Sequence, residues 1–327
     1  EYSARIYRDS QVAMQKSVKV RSLTTSGQVD LRNVFYVRSK IDDKRFEDSP
    51  TTAIAYRGGH VELGNSIASI SDSFGLEKVF EHNPTVGTWL VDEVEFFDER
   101  IAYVIARRAK QDRLNFIFPM LILNFRKDIF NRTARLVMEE STDVIPLTAY
   151  CEHPDCITDS YYTYRYYTVD GVECPALYFD PLIIVGGDKQ SEDPKTPNYA
   201  TRCDHHHYLP GKEYTFMVLK PLGEKAYGGD LGPLKNELDL LKNDIEQSAL
   251  CKHFIRKYIQ VKNPEPIMMN ALKVSCIGEK ALIYLFSEEN IISVDQMKHL
   301  AREINCDADY MNERLIENRM MQMGDFN

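Results

Sequence analysis

The segment TWLVDEVEFF, residues 88–97, joins a short apolar run to a cluster of acids. Thr88 to Val91 has the composition of a buried strand, and Asp92 and Glu93 follow it directly. In a parallel sheet the chemistry gathers at the carboxyl ends of the strands, so this pair stands where a catalytic site is expected. Taken alone the pattern is weak evidence, because acids after a strand more often belong to a solvated loop.

The neighbouring sequence extends this strand into an α/β pattern. Residues 33–37 (NVFYV) and the apolar run 115–123 are predicted strands, and residues 99–110 have the spacing of a helix. Strands that alternate with helices predict a parallel sheet with crossover helices. We therefore assign residues 1–147 to an α/β domain.

The rest of the chain changes character twice. Residues 148–220 are rich in Tyr, Cys and His, which indicates a small β-rich lobe with long loops. A Gly/Pro stretch around 221–233 then marks a boundary. Beyond it, leucines three and four residues apart predict an amphipathic helix, and residues 287–321 are also predicted helical, with Ser293 as a cap. Residues 221–327 are thus predicted to be a helical C-terminal extension.

The bulk composition excludes several classes of protein. The chain has 327 residues, of which 43% are hydrophobic and 27% charged, as in ordinary globular proteins. Its net charge of −9, without clustered Lys and Arg, makes nucleic acid an unlikely partner. The apolar run 116–123 is far shorter than a membrane span, so no membrane association is expected. Seven cysteines without a secretory leader predict an intracellular, reducing compartment, whether cytoplasmic, organellar or virion-associated.

Two pairs of metal-binding residue types lie in the predicted lobe. Cys151 and Cys156 form a C-x4-C pair, and Cys203 and His206 form a C-x2-H pair. Zinc prefers four tetrahedral thiolate and imidazole ligands, often supplied as two short-spaced pairs. The spacing favours zinc over a chance run of exposed histidines beside two buried cysteines. Three neighbouring histidines remain alternative ligands: His153, His205 and His207.

One upstream segment ends like a phosphate-binding loop. Residues 10–17 (SQVAMQKS) finish in Lys16 and Ser17, the residue types that contact phosphate and Mg²⁺ in such loops. The segment has no glycine, and Gln15 stands immediately before the lysine. A Cβ there hinders the close approach of backbone amides to phosphate. The residues alone do not identify it as a phosphate loop.

In combination, these segments resemble the zinc-containing, P-loop thymidine kinase family over approximately residues 10–208. The order and spacing of the motifs make the resemblance specific, although several are weak singly. They are SQVAMQKS (10–17), IDDKRF (41–46), RGG (57–59), DEVEFF (92–97), NFRKDIF (124–130), LTAYC (147–151), IVGG (184–187) and YATRC (199–203). The resemblance implies a P-loop-type parallel sheet and a structural zinc, with ATP and Mg²⁺ as cofactors of an active enzyme.

The resemblance also implies a role for each matching residue. Lys16 and Ser17 contact phosphate and Mg²⁺, Asp92 lies near Mg²⁺, Glu93 is the general base on the nucleoside 5′-hydroxyl, Phe125, Gly186, Gly187 and Tyr199 line the nucleoside pocket, and Cys151, Cys156, Cys203 and His206 hold the zinc. The chain departs from the family pattern at Gln15 and at Glu95, which replaces the Gln of D-E-x-Q-F-F. The insertion 189–198 and the tail after about residue 221 are further departures.

Three functional hypotheses follow. The glycine-free segment favours a degenerate kinase, a pseudoenzyme that serves as a structural or interaction component of a larger assembly such as a virion or organelle complex. Its C-terminal helices would then bind protein partners or a second copy of the chain. The alternative is an active thymidine kinase that transfers the γ-phosphoryl group of ATP to deoxythymidine, as retention of Lys16, Ser17, Asp92 and Glu93 suggests. A nucleotide-binding sensor without turnover is the third hypothesis.

Overall fold

The structure is a computed structural model that describes residues 2–18, 29–41, 50–56, 59–186 and 190–318. The chain divides into two compact units. The first comprises Glu1–Asn124 and Asp128–Pro146, and the second comprises Phe125–Lys127 and Leu147–Asn327.

A four-stranded parallel sheet forms the centre of the first unit, with strand order β4-β1-β5-β6. The strands of this unit are β1 (Asp30–Ser39), β2 (Ala53–Tyr56), β3 (Gly59–Glu62), β4 (Ile67–Ile70), β5 (Val86–Val91) and β6 (Asn115–Ile117), where β2 and β3 pair antiparallel apart from the main sheet. Its helices are α1 (Tyr2–Val18), α2 (Ser73–His82), α3 (Arg100–Asp112) and α4 (Arg132–Glu140). The predicted α/β class with a parallel sheet is confirmed.

Strand β5 is buried along its whole length, as expected for a parallel strand covered on both faces. The ring of Trp89 packs against Phe35, with centroids 5.2 Å apart, and edge-on against Phe80, at 4.6 Å. Ile101 and Ile105 of α3 add to the same cluster from one helix face. This packing fixes the end of β5, from which Asp92 and Glu93 emerge.

Gly87 allows β5 to approach the start of β1 closely. A Cβ at this position would lie 2.5 Å from the carbonyl carbon of Asp30, a backbone atom that cannot move aside cheaply. The pairing register of the two strands is irregular between Asp30 and Val34 at this point. A glycine in β5 therefore accommodates a local bend of β1.

The predicted strand over 115–123 was too long, because only Asn115–Ile117 pairs in the sheet. Pro119 has no N–H group to donate to a ladder, so the strand cannot continue through it. Its carbonyl oxygen instead accepts a hydrogen bond from the Glu93 amide at 2.9 Å. The chain after β6 thus braces the acidic segment rather than extending the sheet.

The second unit combines small antiparallel sheets with helices. Its strands are β7 (Ala149–Tyr150), β8 (Asp159–Ser160), β9 (Tyr162–Val169), β10 (Val172–Pro175) and β11 (Asn198–Arg202), with β9 between β10 and β11 and β7 paired to β8. Its helices are α5 (Lys212–Tyr214), α6 (Lys220–Tyr227), α7 (Gly232–Asn243), α8 (Ala249–Phe254), α9 (Ile277–Ile283), α10 (Val294–Glu303) and α11 (Ala308–Glu317). Three helical turns of π type, Thr215–Leu219, Ile255–Ile259 and Tyr284–Glu288, continue α5, α8 and α9.

One hydrophobic core joins the sheets and helices of this unit. Tyr167 and Phe179, from the predicted lobe, belong to the same buried cluster as Leu238 and Leu282 of the C-terminal helices. The two parts predicted at residues 148–220 and 221–327 thus both contribute to this cluster. Among the described residues, no helix combines the length and apolar character needed to cross a bilayer.

Local sequence signals account for two of these helices. Leu234, Leu238 and Leu241 lie on the buried face of α7, as their spacing predicts. Ser293 caps α10 and accepts a hydrogen bond from the Gln296 amide at 3.2 Å, while the Gln296 side chain accepts from the Ser293 amide at 2.9 Å. This reciprocal capping box explains why the helix begins there.

Candidate functional site

The acidic segment after β5 is held in place by its backbone. The Asp92 amide donates to the Val37 carbonyl at 2.9 Å, which extends the β1–β5 ladder by one residue. Glu93 then turns into the left-handed region, with φ 48° and ψ 48°. Such a conformation is uncommon for a residue with a side chain and is stabilised here by the Pro119 hydrogen bond. The result is a sharp turn at Glu93, directly after Asp92 at the end of the ladder.

Asp92 has an unusual electrostatic environment. Its Oδ2 atom accepts a hydrogen bond from the hydroxyl of Tyr36 on β1. Burial, and secondly the neighbouring charge of Glu93, raise the pKa of Asp92 to about 6, against the lowering effect of the Tyr36 hydroxyl. A carboxylate that is costly to ionise alone is suited to a site where a cation later compensates its charge.

Glu95 braces the same turn and is 1% exposed. Its Oε1 atom accepts from the Leu121 amide at 2.9 Å, and its carbonyl accepts from the Asn131 side chain at 2.7 Å. Burial raises the pKa of Glu95 well above the usual value, and the charge of Glu93 adds to this. The carboxyl is therefore favoured in its neutral form, in which it replaces the family's Gln without adding a negative charge.

The segment 10–17 is not a loop. It forms the C-terminal half of the continuous helix α1, in which Gln15 and Lys16 are exposed. Ala4 and Tyr7 fix this helix by packing in one cluster with residues of β1 and β5. At 1.5 Å per residue, Lys16 lies about 13 Å further along the helix than Tyr7. The resemblance implied a phosphate loop at residues 10–17, but these residues are helical. A segment without Gly or Pro continues a helix readily.

The nucleoside residues implied by the resemblance lie in the second unit. Phe125 is 3% exposed, and its ring packs against the Arg165 guanidinium at 3.9 Å from the centroid. The Tyr199 ring lies 5.3 Å from the same guanidinium and is 39% exposed, so it remains accessible to a ligand. Arg165 therefore links the two aromatic rings. Sequence reasoning missed it, although a single arginine within the tyrosine-rich strand β9 was a visible signal.

Gly186 is packed against Tyr199. A Cβ on Gly186 would lie 2.8 Å from the Cε2 atom of Tyr199, and the Tyr199 hydroxyl is fixed by donation to the Ile184 carbonyl at 2.5 Å. A glycine is therefore needed to keep the ring in place. Gly187, and residues 42–46 and 57–58 of the quoted motifs, lie outside the described residues.

A network of buried charged side chains surrounds Asp180 and includes Arg165. Asp180 accepts from the Tyr167 hydroxyl at 2.7 Å, and its other oxygen lies 2.7 Å from the Lys280 ammonium. Arg165 approaches the same carboxylate at 3.2 Å. Burial alone raises the pKa of Asp180, but the positive charges of Lys280 and Arg165 outweigh it and lower this pKa below the usual value. The sequence did not predict this network because its members are distant along the chain.

The four predicted metal ligands converge. The ligand atoms of Cys151, Cys156, Cys203 and His206 all lie within 4.8 Å of one another. The Cys156 and Cys203 sulfurs are 3.8 Å apart, and the Nδ1 atom of His206 lies 3.3 Å from the Cys203 sulfur and 3.6 Å from that of Cys151. Tetrahedral zinc bound at about 2.3 Å separates two sulfurs by about 3.8 Å. The arrangement fits a Cys3His zinc site.

The alternative histidines are placed differently. His153 stacks on His206 with ring centroids 3.9 Å apart, and His207 points its Nε2 atom to the Thr163 carbonyl at 3.2 Å. Hydrogen bonding by Thr158 lowers the pKa of Cys156 to about 6, which favours the thiolate that binds metal. Among the residues that the structure describes, the Cys3His group is the cluster suited to a metal ion.

Comparison with known proteins agrees with this geometry. The family model described as "Thymidine kinase" matches residues 19–207, more than half of the chain. The match begins beyond Lys16 and Ser17, the residues whose loop assignment the structure corrects. The thymidine kinase of Mycoplasmoides gallisepticum (strain R(low / passage 15 / clone 2)) is 32% identical over 157 residues, which cover 46% of this chain and 60% of that relative. The chain belongs to the thymidine kinase family.

Proposed function

We propose that the protein is a thymidine kinase that transfers the γ-phosphoryl group of ATP to the 5′-hydroxyl of deoxythymidine. The observation that carries the proposal is the strained turn at Glu93, a residue with a positive φ at the carboxyl end of a buried parallel strand. Strain of this kind persists where the surroundings hold it, and it clusters at functional sites. Membership of the thymidine kinase family supports phosphoryl transfer to deoxythymidine as the reaction at this turn.

In this reaction Glu93 is the general base. Its carboxylate takes the proton of the nucleoside 5′-hydroxyl as that oxygen forms its bond to the γ-phosphorus, and the bond to the β–γ bridging oxygen breaks to release ADP. Mg²⁺ supplies positive charge that offsets the charge on the phosphates. Asp92 would hold that cation directly or through water. Its raised pKa reflects the cost of ionising this buried carboxyl without a cation.

Zinc has a structural role in this proposal. Four protein ligands complete a tetrahedral shell, which leaves no position open for substrate. The site ties β7 and the turn Asp204–His206 together in a part of the unit with short strands. Zinc bound there stabilises the folded lobe rather than taking part in phosphoryl transfer.

The degenerate-kinase hypothesis loses its main support. It depended on Gln15 blocking a phosphate loop, and residues 10–17 are helical. Gln15 therefore gives no argument for or against turnover. Neither Lys16 nor Ser17 is needed for the present proposal. If the chain shows no turnover, the remaining hypotheses are a structural component and a nucleotide sensor.

Turnover tests the proposal directly. The purified full chain, loaded with zinc, is incubated with ATP, Mg²⁺ and deoxythymidine, and dTMP and ADP are quantified. We expect equal amounts of the two products and no dTMP when Mg²⁺ is omitted. No dTMP formation, together with a thermal shift on adding ATP or dTTP, would indicate the sensor; no product and no shift would favour the structural component.

A further inference from the structure

Residues 180–185 of the second unit form an ordered segment outside any helix or strand. They lead into Gly186, which packs against Tyr199. A segment without regular structure must satisfy its backbone N–H and C=O groups in another way, because leaving them unpaired and buried is costly. Side chains from other parts of the unit satisfy most of them here.

One group of these side chains comes from strand β9 and from the segment Phe125–Lys127. Arg165 donates to the carbonyls of Pro181, at 2.5 Å, and Leu182, at 2.6 Å. Arg126 donates to the carbonyl of Asp180 at 2.6 Å. These contacts use residues within the span that matches the family model.

The second group comes from the C-terminal helices. Glu288 accepts from the Leu182 amide at 2.9 Å. Asn318 makes a two-point contact with Ile183, accepting from its amide at 2.9 Å and donating to its carbonyl at 2.8 Å.

Two further contacts of the same helices hold the ends of the segment. Glu317 accepts from the Val185 amide at 3.3 Å. Lys280 lies 2.7 Å from the side chain of Asp180, at the other end. The segment is therefore anchored at both ends and in the middle by residues that lie beyond residue 207, where the family match ends.

We propose that Lys280, Glu288, Glu317 and Asn318 are positioning residues that set the affinity for the nucleoside by fixing the shape of residues 180–186. This inference rests on the proposed function and on the nucleoside-pocket roles that the family resemblance implies for Gly186 and Tyr199. The C-terminal helices thereby lower the entropy cost of nucleoside binding. A segment that is already held in its bound conformation loses less conformational entropy when the ligand binds. These residues affect the affinity for the nucleoside and not the affinity for ATP.

Asn318→Ala is the most selective test, because it removes both contacts to Ile183, together with a hydrogen bond to the Arg314 carbonyl at 2.7 Å, and leaves the charged groups unchanged. Asn270→Ala is the matched control: Asn270 also donates one side-chain hydrogen bond to a backbone carbonyl, that of Glu173, at 3.1 Å. Asn318→Asp is the second variant, for use if the alanine variant folds poorly. It keeps the acceptor for the Ile183 amide and loses the donor, so its effect on nucleoside affinity should be intermediate. Melting temperature and zinc content are measured for every variant.

The readouts are the KM values of deoxythymidine and ATP, the dissociation constant of deoxythymidine by calorimetry, and amide exchange at Ile183. For Asn318→Ala we expect the KM and the dissociation constant of deoxythymidine to rise about tenfold, with the KM of ATP unchanged and faster exchange at Ile183. Asn270→Ala should leave all four unchanged.

Two contrary outcomes are distinguishable. Wild-type affinity for deoxythymidine in Asn318→Ala and Asn318→Asp, with the wild type active, would overturn this inference alone. A wild-type chain that neither binds nor phosphorylates deoxythymidine would overturn the proposed function and this inference with it.

Discussion

The Nζ atom of Lys280 lies 2.7 Å from the Oδ1 atom of Asp180, and both side chains are completely buried. The two residues are one hundred positions apart in the sequence. Lys280 also lies 3.6 Å from the centroid of the Tyr167 ring. The pair connects the segment that leads to Gly186 with helix α9, so the C-terminal helices are integral to the second unit.

Removing one partner of this pair should destabilise the second unit strongly. Lys280→Met leaves Asp180 buried with only Arg165 opposite it, and breaking a buried pair costs about 3–5 kcal/mol. Urea denaturation should show this loss, and the double change Lys280→Met with Asp180→Asn should recover part of it. The surface pair of Lys235 and Glu303 is the control, and Lys235→Met should cost less than about 1 kcal/mol. Equal losses for the two lysines would contradict the structure.

Asp92 predicts a pH-dependent stability. Its folded pKa of about 6 lies above the ordinary value of 3.8, so between these values the folded state binds more protons than the unfolded one. The contribution of Asp92 to stability therefore falls as pH rises from about 4 to about 6. Asp92→Asn keeps an acceptor for the Tyr36 hydroxyl and removes the charge.

Without Mg²⁺, we expect Asp92→Asn to raise the free energy of unfolding of the first unit by about 1–2 kcal/mol at pH 7.5. The gain should shrink as pH falls and vanish below about pH 3, where the wild-type carboxyl is protonated in both states. Urea titrations at several pH values measure it. A variant less stable than the wild type at pH 7.5 would show that burial does not make the ionised form of Asp92 costly.

The metal site predicts a specific loss of zinc. Cys156→Ser removes one of four convergent ligands, and we expect metal analysis to find about one zinc per chain in the wild type and far less in the variant. Cys251, which is buried on helix α8 outside the ligand set, provides the control, and Cys251→Ser should retain zinc. Full zinc content in Cys156→Ser would remove this residue from the ligand set.

Gly186→Ala tests the packing of the nucleoside segment. The new Cβ would lie 2.8 Å from the Tyr199 ring, so the ring must move, and such overpacking costs about 1–3 kcal/mol. Thermal denaturation should show that loss, together with a raised KM for deoxythymidine. Gly232→Ala is the control: its Cβ would meet only the Asp230 side chain at 3.7 Å, at the start of helix α7, and it should be neutral or slightly stabilising. Unchanged stability in Gly186→Ala would mean that Tyr199 is free to shift.

The sequence predicted the elements whose signals are local. Strands β1 and β5 were recognisable because they are short apolar runs, and the zinc cluster because its ligands come in close pairs. Ser293 was recognisable as a cap for the same reason. Each of these signals lies within a few residues of the feature that it predicts.

Two expected local structures differ from the observed ones. Lys16 and Ser17 have the residue types of a loop end, but the helix around them is fixed by Ala4 and Tyr7, which pack on the sheet. The run 115–123 is apolar throughout, but Pro119 ends its pairing. The Asp180 and Lys280 pair was unpredictable for a different reason, because no local pattern shows which distant charges meet in a core.

The central claim is that Glu93 is the base in phosphoryl transfer, and the most direct measurement compares Glu93→Gln with Glu95→Gln. Both changes replace a carboxyl by an amide, two residues apart. Glu95 already favours its neutral form, and glutamine keeps an acceptor for the Leu121 amide, so Glu95→Gln should retain the kcat of the wild type within about threefold.

Glu93→Gln should reduce the kcat of dTMP formation by about 10²–10⁴-fold while deoxythymidine still binds, because the amide cannot take a proton. Turnover by Glu93→Gln at the rate of the wild type would contradict the assignment of Glu93 as the base.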